Sequence, residues 1–150
     1  MRVGIGYDSH RFEQGRRLVL GGVEFEAERG LAGHSDADAL THAVIDALLG
    51  AAGLGDLGSH FPDDDERWRD ADSLDLLRVV LGEIRGTVIN VDATVLCEGP
   101  QLGERRAEME RNLSDVLGAP ASVKATTNEG MGWVGRGEGI ACLAVAMIDT

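Results

Sequence analysis

Cysteine, lysine and proline are scarce in this chain of 150 residues, with two, one and three copies, and aromatic residues make up only 4% of it. Cys97 and Cys142 lie far apart in strand-like surroundings and form no CxxC pair, which argues against a disulfide framework or a zinc-thiolate site. They read as buried thiols in a reducing compartment, so the expected location is cytoplasmic. No stretch approaches the roughly 18 consecutive apolar residues of a membrane span. The start, MRVGIGYDSH, has no basic segment leading into an apolar run, so neither export nor insertion is expected. Basic residues are also few, 14 against 26 acidic, and the formal charge of −12 repels nucleic acid and anionic membrane on average. An anionic substrate would therefore depend on local counter-charge. The lone Lys124 among so many arginines reads as compositional habit, not mechanism.

At 43% apolar, residues 1–150 suffice for a single domain with one core, and no repeat or low-complexity tract suggests more. MRVGIGYDSHRF reads as a strand and RRLVLGGVEFEAE as an extended piece broken at its glycines. HSDADALTHAVIDALLGAAGLG reads as a helix begun by Ser35 and closed near residues 53–55. SLDLLRVVLGEIR follows as a helix, with Leu74, Leu77, Leu81 and Ile84 at helical spacing. In TVINVDATVLCEG, Ile89, Val91, Ala93, Val95 and Cys97 face one way and Asn90, Asp92, Thr94 and Glu98 the other. Met109, Leu113, Val116 and Leu117 stripe a third helix, and SVKATT is a short strand. GIACLAVAMI is an almost unbroken apolar strand, expected in mid-sheet with both faces covered. The order predicts an α+β fold: a mixed four-stranded sheet with helices packed on one face, plus a small N-terminal extended or hairpin piece.

Two glycine patterns, GLGDLG and GMGWVG, match G-x-G-x-x-G, but the first follows a helix and the second leads into a strand, so a dinucleotide site is not expected. The acidic run PDDDERWRDAD has no glycine or closing glutamate at calcium-loop offsets and reads as a solvated loop. GYDSHRF is more informative, because strand alternation puts Asp8 and His10 on one face, opposite Val3, Ile5 and Tyr7. On the long helix, Asp38, His42 and Asp46 line one side at i, i+4 spacing, while Ile45 and Leu49 flank His42 there. A buried imidazole among carboxylates needs a partner or an ion. Asp8, His10 and His42 would give one oxygen and two nitrogens with a fourth position open, as at catalytic zinc. A hydrogen-bonded His/Asp cluster is the commoner explanation, and spacing alone leaves both open.

The segments GYDSHRF, GHSDADALTHAVIDALLGAAGLGDLGSHFPDDD and VKATTNEGMGWVGRGEGIA, in this order and spacing, resemble the 2-C-methyl-D-erythritol 2,4-cyclodiphosphate synthase family from residue 2 to the final strand. The resemblance implies a reaction of the non-mevalonate isoprenoid pathway. In it, 4-diphosphocytidyl-2-C-methyl-D-erythritol 2-phosphate closes to the cyclic diphosphate and releases CMP, in a homotrimer with active sites between subunits. It also implies zinc on Asp8, His10 and His42, and a second divalent ion, Mg2+ or Mn2+, on Glu129. His34 and Thr127 match the family's transition-state stabilisers. Ser35, Asp56, Gly58 and the FPDDD run, with Phe61, Asp63 and Asp65, match the part that holds the methylerythritol phosphate, which Asp8, His10 and His34 also touch. The cytidine pocket maps to residues 97–103 of a neighbouring subunit, including Cys97, Pro100, Leu102 and Gly103, together with Ala125, Thr126 and Thr127. Glu129, Trp133 and Arg136 are also implied at the substrate, with Trp133 standing where a smaller apolar or aromatic residue is usual. Arg136 is expected to point to the trimer axis, where an isoprenoid diphosphate or other anion would be held.

The resemblance also marks departures. Ala37 replaces the glycine common in the family's HSDGD motif, a change that a helix accepts readily. Gln101 and Gly103 depart from the usual nucleotide loop. Two other classes share parts of the pattern: a zinc-dependent phosphohydrolase using the same three ligands, and a non-catalytic trimeric small-molecule binder.

Overall fold

The computed structural model describes all 150 residues. Its strands are β1 (Arg2–Gln14), β2 (Leu18–Leu20), β3 (Val23–Phe25), β4 (Arg29–Leu31), β5 (Thr87–Leu96), β6 (Ala121–Thr126) and β7 (Gly139–Asp149). Its helices are α1 (Ala39–Ala52), α2 (Leu57–His60), α3 (Ser73–Glu83), α4 (Arg106–Leu117) and α5 (Gly132–Gly135). The α+β class holds, but the main sheet has five strands in the order β4-β1-β7-β5-β6, not four. The extra strand, β4, is three residues long and pairs with the end of β1, too short to show an alternation of its own. Only the β5-β6 pair is parallel, so the sheet is mixed. The extended piece is the hairpin β2-β3, turned at Gly21 and Gly22, whose φ angles of 56° and 71° suit a two-residue turn that needs positive φ twice.

Helix α1 lies against β1 and β7 with apolar residues all round it; Leu40, Ile45, Leu48 and Leu49 are fully buried. Each contributes about 2 kcal/mol of burial free energy. The approach to β1 is close because Gly4 and Gly6 face the helix: a Cβ on Gly6 would lie 1.9 Å from the Ala43 carbonyl oxygen. Asp8 and His10 follow these glycines on the same face, while Val3, Ile5 and Tyr7 emerge on the other, as alternation requires.

Four expectations change. Asp38, not Ser35, caps α1: its carboxylate accepts from the backbone N–H of Thr41 at 2.9 Å. The same carboxylate accepts from Gly21 and Gly22 N–H at 2.9 and 2.8 Å, so the β2-β3 turn helps to choose the cap. Ala37 lies outside the helix at φ 58°, a left-handed conformation that costs an L-residue about 1 kcal/mol; the usual glycine is explained by this backbone and not by helix propensity. Ile89 is exposed, because a bulge between Val88 and Asn90 gives the buried place to Val88. β7 is central, yet only one of its faces is covered: Leu143 and Val145 join Val3, Ile5 and Tyr7 in an open apolar sheet face.

Candidate active site

β1 and α1 bring Asp8, His10 and His42 together, with ligand atoms all within 4.8 Å of one another. Asp8 Oδ2 lies 2.8 Å from His10 Nε2 and 3.1 Å from His42 Nδ1, and the two ring nitrogens are 3.3 Å apart. The outer nitrogens are engaged elsewhere. His10 Nδ1 is 2.7 Å from the Ala32 carbonyl, to which it must donate, so in the neutral ring Nε2 is the lone-pair nitrogen and it faces inward. His42 Nε2 lies 2.8 Å from Ser73 Oγ and 3.2 Å from Ser35 Oγ. Burial opposes charge on Asp8 and His10, but their mutual hydrogen bond and attraction outweigh it. Asp8 is held below the usual carboxylate range and His10 above the usual imidazole range. Two imidazoles whose far nitrogens are already hydrogen-bonded, aimed with a carboxylate at one point, fit a divalent cation.

The triad lies in a cavity of about 240 Å³ that is also lined by His34, Ser35, Gly58, Phe61 and Asp63, all expected at the substrate. His34 Nε2 donates to the Asp65 carbonyl at 2.8 Å, which orients the ring and leaves Nδ1 as its second polar atom. The Ser35 hydroxyl is turned inward, between His42 and the Ala37 N–H at 3.2 Å. Asp56 does not line the cavity; it caps α2, accepting from Ser59 N–H at 2.8 Å. The Asp65 carboxylate is likewise taken, by Arg67 at 2.6 Å, so only its carbonyl serves the site.

The remaining residues form a second cluster, where β5 and β6 end side by side. Cys97 N–H donates to the Thr126 carbonyl at 3.0 Å, and Cys97 Sγ faces the Pro100 carbonyl at 3.6 Å. Leu102 is buried and Gly103 exposed, while Ala125, Thr126 and Thr127 are open to solvent. Thr127 Oγ1 accepts from Glu129 N–H at 3.3 Å. Exposed Glu129, at φ 54°, belongs to no group of three metal-ligating side chains in the chain. Trp133 is half-buried in α5, and exposed Arg136 pairs with Glu138 at 2.6 Å. None of these residues lines the cavity that holds the triad. The cross-strand row Asp8, Cys142, Val95, Ala125 spans three strand spacings, about 14 Å.

Several residues of the site carry no signal in the sequence. Trp68 and Leu76 line the cavity, and Trp68 meets Phe61 edge-on at 4.9 Å, although both come from segments read as loop and ordinary helix. Arg16 binds three carbonyls at the end of β4 and in the loop before α1: Leu31 at 3.1 Å, Gly33 at 3.1 Å and Ser35 at 2.9 Å. Glu98 Oε1 accepts from Asn128 and Gly130 N–H at 3.0 and 3.2 Å, holding the loop that carries Glu129. Such long-range partners leave no local pattern.

Comparison with known proteins agrees with the geometry. A model of the YgbB family matches residues 1–149. A 2-C-methyl-D-erythritol 2,4-cyclodiphosphate synthase of Salinibacter ruber is 56% identical over 156 aligned positions, covering 100% of this chain and 99% of the relative. One from Rubrobacter xylanophilus is also 56% identical, covering 99% of this chain and 94% of the relative. Among solved structures, a 2C-methyl-D-erythritol-2,4-cyclodiphosphate synthase in a CDP-bound form superimposes with a TM-score of 0.89 at 35% identity, covering 99% of this chain and 100% of that one. With its full length matched and its Asp8, His10 and His42 gathered in one cavity, the chain belongs to the YgbB family of 2-C-methyl-D-erythritol 2,4-cyclodiphosphate synthases.

Proposed function

We propose that this chain converts 4-diphosphocytidyl-2-C-methyl-D-erythritol 2-phosphate to 2-C-methyl-D-erythritol 2,4-cyclodiphosphate with release of CMP, as a cytoplasmic enzyme. The observation that carries the reading is the convergence of Asp8, His10 and His42 in a cavity of about 240 Å³, in a chain of this family. The attacking group, a phosphate monoester with a second pKa near 6, is already mostly ionised at neutral pH. No strong protein base is therefore required, and the site offers no activated serine or cysteine; both cysteines are buried. What the reaction needs is alignment of two anions and compensation of their charge.

Zinc held by Asp8, His10 and His42, and Mg2+ or Mn2+ held by Glu129, would polarise the diphosphate and offset its charge. Residues of the chain do the positioning. In its imidazolium form, His34 has Nε2–H on the Asp65 carbonyl and Nδ1–H free, so it and the Thr127 hydroxyl donate hydrogen bonds to phosphoryl oxygens as charge shifts between them. Phe61, Gly58 and Asp63 enclose the methylerythritol end of the cavity. The cluster at the ends of β5 and β6 takes the cytidine.

The separation of about 14 Å between the two clusters in one chain supports an active site shared between subunits. The open face formed by Val3, Ile5, Tyr7, Leu143 and Val145 supports burial in a homotrimer. An isoprenoid diphosphate or other anion on the trimer axis would compete with Glu138 for Arg136. Chromatography of the products tests the assignment: CMP released in equal amount to a cyclic diphosphate is expected. Free inorganic phosphate would favour a hydrolase, and unchanged substrate a binding protein.

A further inference from the structure

His42 Nε2 faces away from the metal triad, and its nearest partner is Ser73 Oγ, 2.8 Å off at the start of α3. The Ser73 hydroxyl donates its single proton to Asp36 Oδ1, so toward His42 it can only accept. His42 Nε2 must then carry a proton, so in the neutral ring Nδ1 is the lone-pair nitrogen, and it is the atom turned toward Asp8 Oδ2 at 3.1 Å and His10 Nε2 at 3.3 Å. Asp36 is itself fixed: Oδ2 accepts from Ser73 N–H at 3.1 Å, Oδ1 accepts from Asp38 N–H at 3.1 Å, and its own N–H donates to the Ala71 carbonyl at 3.0 Å. Ser73 is 0% exposed, so no water competes for its hydroxyl. Ser35 Oγ is the weaker neighbour at 3.2 Å and has no acceptor that fixes its proton.

We propose that Asp36 and Ser73 are positioning residues of the metal centre: a carboxylate-hydroxyl-imidazole relay that locks His42 as the Nε2–H tautomer, with Nδ1 ready to ligate. The inference rests on reading Asp8, His10 and His42 as metal ligands. Partners behind a ligating histidine commonly change metal affinity by roughly tenfold to a hundredfold when removed. The relay also fastens α3 and the loop before α1 to the ligand helix, so the metal site and the cavity wall at Leu76 are held by one hydrogen-bond chain.

The test compares wild type with Ser73→Ala, Asp36→Ala and Ser35→Ala. Zinc affinity is measured by competition with a chromophoric chelator, and the His42 tautomer in metal-free protein by long-range nitrogen-proton NMR. The relay predicts a roughly tenfold or greater loss of zinc affinity in Ser73→Ala. It also predicts a mixed His42 tautomer in both Ser73→Ala and Asp36→Ala, and less than about threefold change in Ser35→Ala. A merely structural role would lower the melting temperature and leave the tautomer pure. Should Ser73→Ala fail to fold, Asp36→Ala decides by the same two readouts. A pure Nε2–H tautomer with wild-type affinity in these variants overturns the proposal, as does a loss in Ser35→Ala equal to that in Ser73→Ala. A wild type that takes up no stoichiometric zinc overturns the underlying metal reading instead, and the metal-free tautomer still decides the relay.

Discussion

His10 Nε2 and His42 Nδ1 face each other across 3.3 Å, one carried by β1 and the other by α1. That distance is set by how closely strand and helix approach, and Gly6 permits the approach. Gly6→Ala would drive a methyl group into the Ala43 carbonyl and force the two elements apart. The expected cost is roughly 3 kcal/mol of stability, together with weakened zinc binding. Chemical denaturation and zinc titration check this, and wild-type values in both would contradict it.

Arg16 supports the other wall of the site through its three carbonyl contacts at Leu31, Gly33 and Ser35. Arg16→Ala leaves those acceptors without their donor and is expected to cost about 2 kcal/mol. His34 then loses its fixed place, so kcat should fall about tenfold with a smaller change in KM. Arg16→Lys should not rescue, since an ammonium group cannot reproduce the guanidinium fork. Steady-state kinetics on the three proteins distinguish the outcomes.

The open sheet face offers a test of assembly. Ile5 is 70% exposed in the single chain, at the centre of the patch with Val3, Tyr7 and Val145. Ile5→Glu should yield a folded monomer in sedimentation, because a buried unpaired carboxylate costs several kcal/mol at each interface. Activity should be lost with assembly, since the two clusters would no longer meet. An active monomer would contradict the shared site.

Cys97 bears on the half of the site proposed to take the nucleotide. Burial, with Glu98 alongside, pushes its thiol up to about 11, and burial raises Cys142 as well. Because the folded value of Cys97 lies above the ordinary 9.0, its contribution to stability is whole below pH 9.0 and fades as pH rises through about 11. At pH 8 the Cys97 thiol thus stays almost wholly protonated. Iodoacetamide at pH 8 should therefore label neither cysteine of the native protein and both of the unfolded one, as read by mass spectrometry. Rapid native labelling of Cys97 would show that its loop is open.

Alternation along GYDSHRF is enough to place Asp8 beside His10, because the period of a strand is rigid and Gly4 and Gly6 share their face. Helical spacing likewise places His42 on a buried stretch. The α1 cap is not legible: Ser35 and Asp38 are both good caps, and the choice falls to Gly21 and Gly22, whose N–H groups reach Asp38 from a distant hairpin. Ile89 misleads because a bulge shifts the register by one residue. Ser73 lies 31 residues from His42, so nothing in its neighbourhood marks it. The proposed nucleotide half and the proposed ion on Glu129 rest on family resemblance alone, since exposed residues on strand ends leave no periodic trace.

Phosphorus NMR of 4-diphosphocytidyl-2-C-methyl-D-erythritol 2-phosphate incubated with the enzyme follows the metal-dependent cyclisation itself. With zinc and magnesium present, the substrate resonances should give way to those of CMP and a cyclic diphosphate. A chelator should stop the conversion, and His42→Ala should slow it at least about a hundredfold. Inorganic phosphate as the product, or conversion unaffected by chelator and by His42→Ala, would contradict the account.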